Sequence, residues 1–324
     1  MLTFNSTREG RGFMRVLIVG PGAMGTLFGV LLAEAGNQVW VLDHRPERAK
    51  LLSKRGFTVK RAGGERKRKL PVVTDPSDVP APDFTFIWVK SYDTERAVKR
   101  LSTALPRDSC IVTLQNGLGN IEVISEYFNR DALVAGVTSH GATLLGPGEA
   151  FHAGEGETVV GALEEGAREL AARCARMLDK AGIQTRVSDD VTSEIWGKLV
   201  INAAINPLTA ITGLRNGELL EFEGMRELMG MVVGEAVEVA SKLGIKLPFD
   251  DPLERVFEVC RLTARNRSSM LQDVEAGRRT EIDAINGAIA RLGTELGVPT
   301  PVNRALTLII RTISSKPMRK GEPR

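Results

Sequence analysis

Cysteine is scarce. The 324 residues include only Cys110, Cys174 and Cys260, far apart and without a C-x-x-C pair. This argues against a disulfide framework and a cysteine zinc site, and makes the reducing cytoplasm the expected compartment. Histidine is equally sparse: His44, His140 and His152 are too scattered to predict a metal site, so no metal is expected. Aromatic residues are 5% of the chain, and 43 Lys plus Arg against 40 Asp plus Glu leave a net charge of only +3. Nucleic acid is therefore not an expected partner, since its binding calls for a basic surface with stacking aromatics. What excess charge there is sits in two places. One is the tail from Lys316 to Arg324; the other runs from Lys60 to Lys69, opposed only by Glu65, and reads as a solvated loop or hairpin. A long apolar run is found once, in the uncharged 18 residues from Val16 to Ala33. Gly20, Pro21, Gly22 and Gly25 interrupt it, which suits a strand, turn and helix better than a membrane span.

Length and ordinary apolar content predict about two domains, each large enough for its own core. The first 13 residues are polar and unpatterned, an expected extension with Met14 as a natural start. From Val16 a buried strand, a helix over Met24 to Ala35 ended by Gly36, and a second strand over Gln38 to Asp43 open a parallel α/β sheet. Further strands are expected at Phe84 to Val89, Ser109 to Thr113 and Leu133 to Val137, with helices after Asp93 and from Ile121 to Phe128. Thr143 to Gly161 reads as a strand pair or loop, and Glu165 to Ala181 as a helix. Beyond residue 188 the periodicity is helical: Ser193 to Ile205, Met225 to Leu243, Pro252 to Arg265, Ile282 to Leu296 and Arg304 to Ser314. The expected fold is an N-terminal Rossmann-type parallel-sheet domain, residues 1–188, followed by an all-α domain, residues 189–324.

Three segments could carry chemistry. Gly20-Pro21-Gly22-Ala23-Met24-Gly25 fits G-x-G-x-x-G between a strand and a helix, where the glycines give a tight turn, backbone approach to a pyrophosphate and close helix packing. The helix start then offers N–H groups to phosphate. Asp43, 18 residues after Gly25, could accept from the ribose hydroxyls of NADH, whereas Arg45 and Arg48 could grip the 2′-phosphate of NADPH; the choice stays open. Second, Lys198, Asn202 and Asn206 recur every four residues and share one helix face. That face could simply meet water, but two amides beside one ammonium on an apolar helix also suit a pocket for an oxygen-rich substrate. Third, Ser268 to Asp273 followed by Thr280 to Asp283 reads as a helix cap and a charged face, and spacing alone gives Ser269 and Glu281 no catalytic role.

Taken together, these segments resemble the ketopantoate reductase family from about Met14 to Ile313. The resemblance also rests on Val89-Lys90, Gln115-Asn116-Gly117, Asn206-Pro207-Leu208-Thr209-Ala210 and Asn216-Gly217-Glu218. It implies reduction of 2-dehydropantoate to pantoate by NADPH or NADH on the route to coenzyme A. By the same resemblance Lys198 is the catalytic lysine and Glu281 the active-site glutamate. Asn202, Asn206, Asn216 and Ser269 would hold substrate; Gly20, Gly22, Ala23, Met24, Gly25, Arg45, Lys90 and Asn116 would serve the cofactor, with Asp43 departing from the family's usual NADPH pattern. Rival readings are a reductase of another 2-keto or 3-hydroxy acid and a dinucleotide sensor without turnover. A homodimer is left open: the apolar helix from Met225 to Leu243 could be an interface, though burial within its own domain is the expected use.

Overall fold

The computed structural model describes residues 12–315; the basic tail from Lys316 and the first 11 residues of the expected extension lie outside the described residues. By its contacts the chain divides into two units. Among the described residues, one comprises 12–115 together with Ile121–Val191; the other comprises Asn116–Asn120 and 192–315.

The first unit begins with β1 (Arg15–Val19), α1 (Ala23–Glu34), β2 (Gln38–Leu42) and α2 (Pro46–Arg55). The hairpin β3 (Phe57–Arg61) and β4 (Gly64–Arg68) follows, then β5 (Val72–Val73), β6 (Phe84–Ile87), α3 (Thr94–Leu101), β7 (Ile111–Thr113) and α4 (Asn120–Tyr127). Next come β8 (Leu133–Thr138), β9 (Gly141–Gly146), β10 (Glu149–Gly154), β11 (Thr158–Ala162), α5 (Arg168–Lys180) and β12 (Thr185–Ser188). Eight strands form one sheet in the order β12-β11-β8-β7-β6-β1-β2-β5. It is parallel from β8 to β5, while β11 joins β8 antiparallel and pairs in parallel with β12. Alternation along β1 sends Val16 and Ile18 to one buried face and Leu17 and Val19 to the other, so the strand reads as an unbroken apolar run.

The other four strands form a second sheet, β4-β3-β10-β9. Helix α1 shares one core with both sheets: Leu27 and Phe28 pack with Val16 and Ile18 of the large sheet and with Phe57 and Val59 of the small one. A helix covered on opposite faces must be apolar all round, which is why Gly25 to Leu32 are all buried and the Val16–Ala33 stretch carries no charge. Among the described residues no helix is long and apolar enough to cross a membrane. The Lys60–Lys69 concentration is the β3–β4 hairpin, and much of its charge is met locally: Lys60 pairs with Glu149, and Arg66 and Arg68 with Glu34. The stretch from Thr143 to Gly161, expected as a strand pair or loop, falls within three strands, β9 and β10 in the small sheet and β11 in the large one.

The second unit contains α6 (Val191–Thr212), α7 (Glu223–Lys242), α8 (Pro252–Leu262), α9 (Ser269–Glu275), α10 (Asn286–Leu296) and α11 (Pro301–Ser315). Met229, Val232, Val233, Ala236 and Val239 of α7 are buried in this unit's own core. Two helices differ from expectation. Helix α6 runs seven residues past Ile205, with Pro207 inside it. The segment predicted as one helix from Ile282 is broken: a 3-10 turn over Ile282–Ala284 is followed by Ile285 at φ −103°, ψ −97°, and only then by α10. The short helix α2, brief and rich in polar residues, was not expected, whereas α9 begins at the cap expected of Ser268.

Candidate active site

In the large sheet β1 lies between β2 and β6, so the chain leaves it in opposite directions, and the crevice beyond its carboxyl end is where such sheets take ligands. Gly20 stands at that end. Its backbone has φ +99°, and a Cβ there would lie 2.9 Å from Val89 Cγ1. A Cβ on Gly25 would lie 2.2 Å from the Gly20 carbonyl oxygen, so helix and turn can approach only through glycine. Gly22, the N-cap of α1, faces open space with nothing within 4 Å of a Cβ, and no side chain caps the helix. The half-buried Ala23 and Met24 follow with no acidic residue in the first turn. A glycine cradle opening onto an uncapped helix start fits a dinucleotide pyrophosphate.

The end of β2 is more constrained. Asp43 is buried, and both carboxylate oxygens are engaged: Arg48 grips it through Nε and Nη2, and the Arg45 N–H donates to Oδ1 at 3.1 Å. The Arg45 side chain, at the N-cap of α2, is exposed, as is the neighbouring His44. Lys90 stands half-buried after β6, at the start of a 3-10 turn. Gln115 ties these strand ends together, its Nε2 donating to Val89 O at 2.7 Å and Thr94 Oγ1 at 2.9 Å. No role for Gln115 was foreseen, because its sequence neighbours give no sign of the knot.

The remaining candidates belong to the helical unit. Asn116 sits on the five-residue segment that leaves the sheet unit and groups with the helices. That segment docks on the turn after Glu281: the Leu118 N–H donates to Ala284 O at 2.8 Å, and a Cβ on Gly117 would lie 2.5 Å from the same oxygen. The break before α10 leaves this carbonyl available. On α6, Asn206 is buried and Lys198 and Asn202 are half-buried, so the polar stripe is not a fully solvated face. Burial lowers the Lys198 ammonium from 10.5 to about 8, opposed by the negative charge of Glu281, which is itself buried. Asn216 is also buried; its Nδ2 donates to Thr263 Oγ1 at 2.9 Å, and its Oδ1 has no hydrogen-bond partner.

Ser268 is the N-cap of α9, accepting from the Leu271 N–H at 3.0 Å and from Thr209 Oγ1 of α6 at 2.7 Å. Ser269 beside it is exposed. Asp283 pairs with Arg279 and Arg311 on the surface, as a charged face would.

Known proteins share this architecture along nearly the whole chain. The family model described as ketopantoate reductase PanE/ApbA matches residues 16–165, and the one described as its C terminal matches 190–314. A 2-dehydropantoate 2-reductase of Archaeoglobus fulgidus is 38% identical over 304 residues, covering 93% of this chain and 98% of the relative. The crystal structure of a PanE/ApbA family ketopantoate reductase from Ralstonia eutropha JMP134 superposes with a TM-score of 0.84 at 34% identity, covering 93% and 98% of the two chains. A D-mandelate dehydrogenase, solved as a ternary structure with NADH and anilino(oxo)acetate, gives a TM-score of 0.86 at 28% identity with the same coverage.

Proposed function

The chain belongs to the ketopantoate reductase family, and from that premise we propose that it reduces 2-dehydropantoate to pantoate, with Lys198 as the proton donor. The observation that carries this reading is the half-buried Lys198 ammonium with its pKa lowered to about 8, beside Asn202 and Asn206 and under the charge of Glu281. A nicotinamide dinucleotide in the Gly20–Gly25 cradle, with Arg45, Lys90 and Asn116 as its further contacts, would supply the hydride.

The chain's own residues do the rest. As the 2-keto carbon becomes tetrahedral its oxygen acquires negative charge, and an ammonium there both stabilises that charge and gives up a proton. A donor with a pKa near 8 is charged at neutral pH yet acid enough to transfer the proton. Glu281 keeps that pKa from falling further and thereby holds the proton on Lys198 before reaction. Asn202, Asn206 and Asn216 can orient the substrate's hydroxyl and carbonyl oxygens, the unpartnered Oδ1 of Asn216 being suited to accept from a hydroxyl. The exposed Ser269 hydroxyl can donate to the substrate carboxylate.

Asp43 bears on the cofactor. With its carboxylate held by Arg48, the residue type associated with NADH does not offer a free charge, while the Arg45 side chain remains exposed next to it. We take NADPH as the preferred cofactor. The cytoplasm, where the three buried free thiols would stay reduced, and a homodimer complete the reading; sedimentation equilibrium checks the latter.

The test follows NADPH and NADH absorbance separately with 2-dehydropantoate, using wild type and Lys198→Ala. Turnover by wild type, a loss of about a thousandfold in the variant and a faster NADPH reaction are expected. Cofactor binding without turnover of this substrate would defeat the reading. The D-mandelate dehydrogenase likeness makes 2-keto acids lacking the distal hydroxyl the comparison substrates, and their equal use would favour a broader reductase.

A further inference from the structure

Pro207 interrupts the hydrogen bonding of α6. Lacking an N–H, it leaves the carbonyl oxygen of Ala203, four residues earlier, without its helical donor. That carbonyl belongs to a fully buried residue between Asn202 and Asn206, where an unpaired acceptor is costly. The missing donor comes from another segment: Asn286 Nδ2 lies 3.0 Å from Ala203 O.

Asn286 is itself fully buried and held through its amide nitrogen, its Oδ1 having no hydrogen-bond partner. Its Nδ2 also donates to Asn303 Oδ1 at 2.9 Å, and Asn303 Nδ2 in turn donates to Glu235 Oε2 at 2.7 Å. The Glu235 carboxylate accepts from the backbone N–H groups of Val302 and Asn303 at the start of α11. Helices α6, α7, α10 and α11 thus meet in one polar knot, buried at Asn286 and Asn303 and half-buried at Glu235. The two ends of its first link are placed suggestively: Ala203 is five residues after Lys198, and Asn286 is five residues after Glu281. An ordinary residue at 207 would satisfy Ala203 within the helix and remove the need for this link to Asn286.

We propose that Asn286 is a positioning residue for the reaction: its amide, bound to the carbonyl that Pro207 frees, fixes the Lys198 turn of α6 against the segment that carries Glu281. The inference rests on the roles proposed above for Lys198 and Glu281. Glu281 is the charged group that acts on Lys198, so a slackened link weakens the influence that keeps the ammonium protonated.

The experiment measures kcat/KM against pH, with NADPH and 2-dehydropantoate, beside the urea unfolding midpoint. The variants are Asn286→Ala, Pro207→Ala, the double variant and Glu281→Gln. Asn286→Ala is expected to lower kcat about tenfold, leave KM for NADPH within about twofold, and move the alkaline limb down by about half a unit or more. In the double variant the restored N–H at residue 207 satisfies Ala203, so the unfolding midpoint recovers while the rate and the limb do not. Should Asn286→Ala fail to fold, Pro207→Ala alone still decides the matter: its N–H competes for Ala203 O, loosens the link and moves the limb in the same direction. A limb moved by Glu281→Gln but by neither Asn286→Ala nor Pro207→Ala would overturn this proposal alone. Rate and limb recovering together with stability in the double variant would overturn it as well, reducing Asn286 to a packing role. A limb unmoved even by Glu281→Gln would overturn the underlying assignment of Lys198 and Glu281, and this proposal with it.

Discussion

At neutral pH Lys198 carries a charge that its surroundings disfavour, and stability should register that cost. Burial lowers its pKa from 10.5 to about 8 even with Glu281 acting in the opposite sense. A depression of that size corresponds to about 3 kcal/mol. The sign is set by where the proton leaves first. Below about pH 8 the ammonium persists in folded and unfolded chains alike and the cost is fully present. Between there and 10.5 the folded protein has released its proton while the unfolded chain retains one, so stability rises with pH; above both values the cost is gone. Lys198→Met removes the titration and leaves other groups as a shared background. Urea unfolding followed by tryptophan fluorescence, with Trp196 buried in the same helix, gives the free energy of each protein at successive pH values. Between about pH 7 and about pH 10.5 the difference should move by about 3 kcal/mol in favour of wild type. With Lys198 in the proton-donating role proposed above, keto acid reduction should fall about tenfold per unit above the same pKa. Parallel stability curves, with a constant offset across this range, would refute the argument that burial perturbs Lys198.

The glycine loop should separate folding from binding. Gly22→Ala meets nothing within 4 Å, so its melting temperature should match wild type while NADPH binding, read by calorimetry, weakens about tenfold. Gly25→Ala, with its Cβ 2.2 Å from Gly20 O, should lose about 3 kcal/mol of stability as well as cofactor affinity. At the end of β2, Arg48→Ala frees the Asp43 carboxylate and should shift the kcat/KM ratio toward NADH by about tenfold; an unchanged ratio would remove Asp43 from cofactor choice. His140 bonds His152 through Nδ1 at 3.0 Å, and burial, then the His152 charge, lower its pKa from 6.5 to about 4, with Glu155 opposing. It is neutral in the fold, so about 3 kcal/mol of stability should be lost as pH falls from 6.5 toward 4, and His140→Gln should flatten that acid slope in thermal melts.

Sequence reading went furthest where a local rule leaves one solution. The strand, glycine turn and helix over Arg15–Glu34 follow from patterning and from backbone conformations that only glycine adopts freely. The polar stripe of α6 was visible as a four-residue spacing, yet its burial was not, because burial depends on what the other helices bring to that face. Asp43 illustrates the same limit. Its type and position suggested a ribose acceptor, and only the folded chain shows Arg48 occupying it. Pro207 was a signal left unread: a proline inside an apolar helical pattern suggests either an end or a distant donor, and choosing between them required Asn286, 79 residues away.

The excursion of Asn116–Asn120 also bears on how such a chain can be divided and inherited. Since these five residues group with the helices, neither unit is one contiguous stretch, and a single cut near Val191 would part the helical unit from a piece of itself. The excised portion would lose the N–H that Leu118 gives to Ala284, three residues from Glu281. Exchange of helical portions between relatives by one crossover would therefore bring a foreign loop against that turn. The loop and the turn meet across more than 160 residues of chain, so a graft that keeps this contact must carry both.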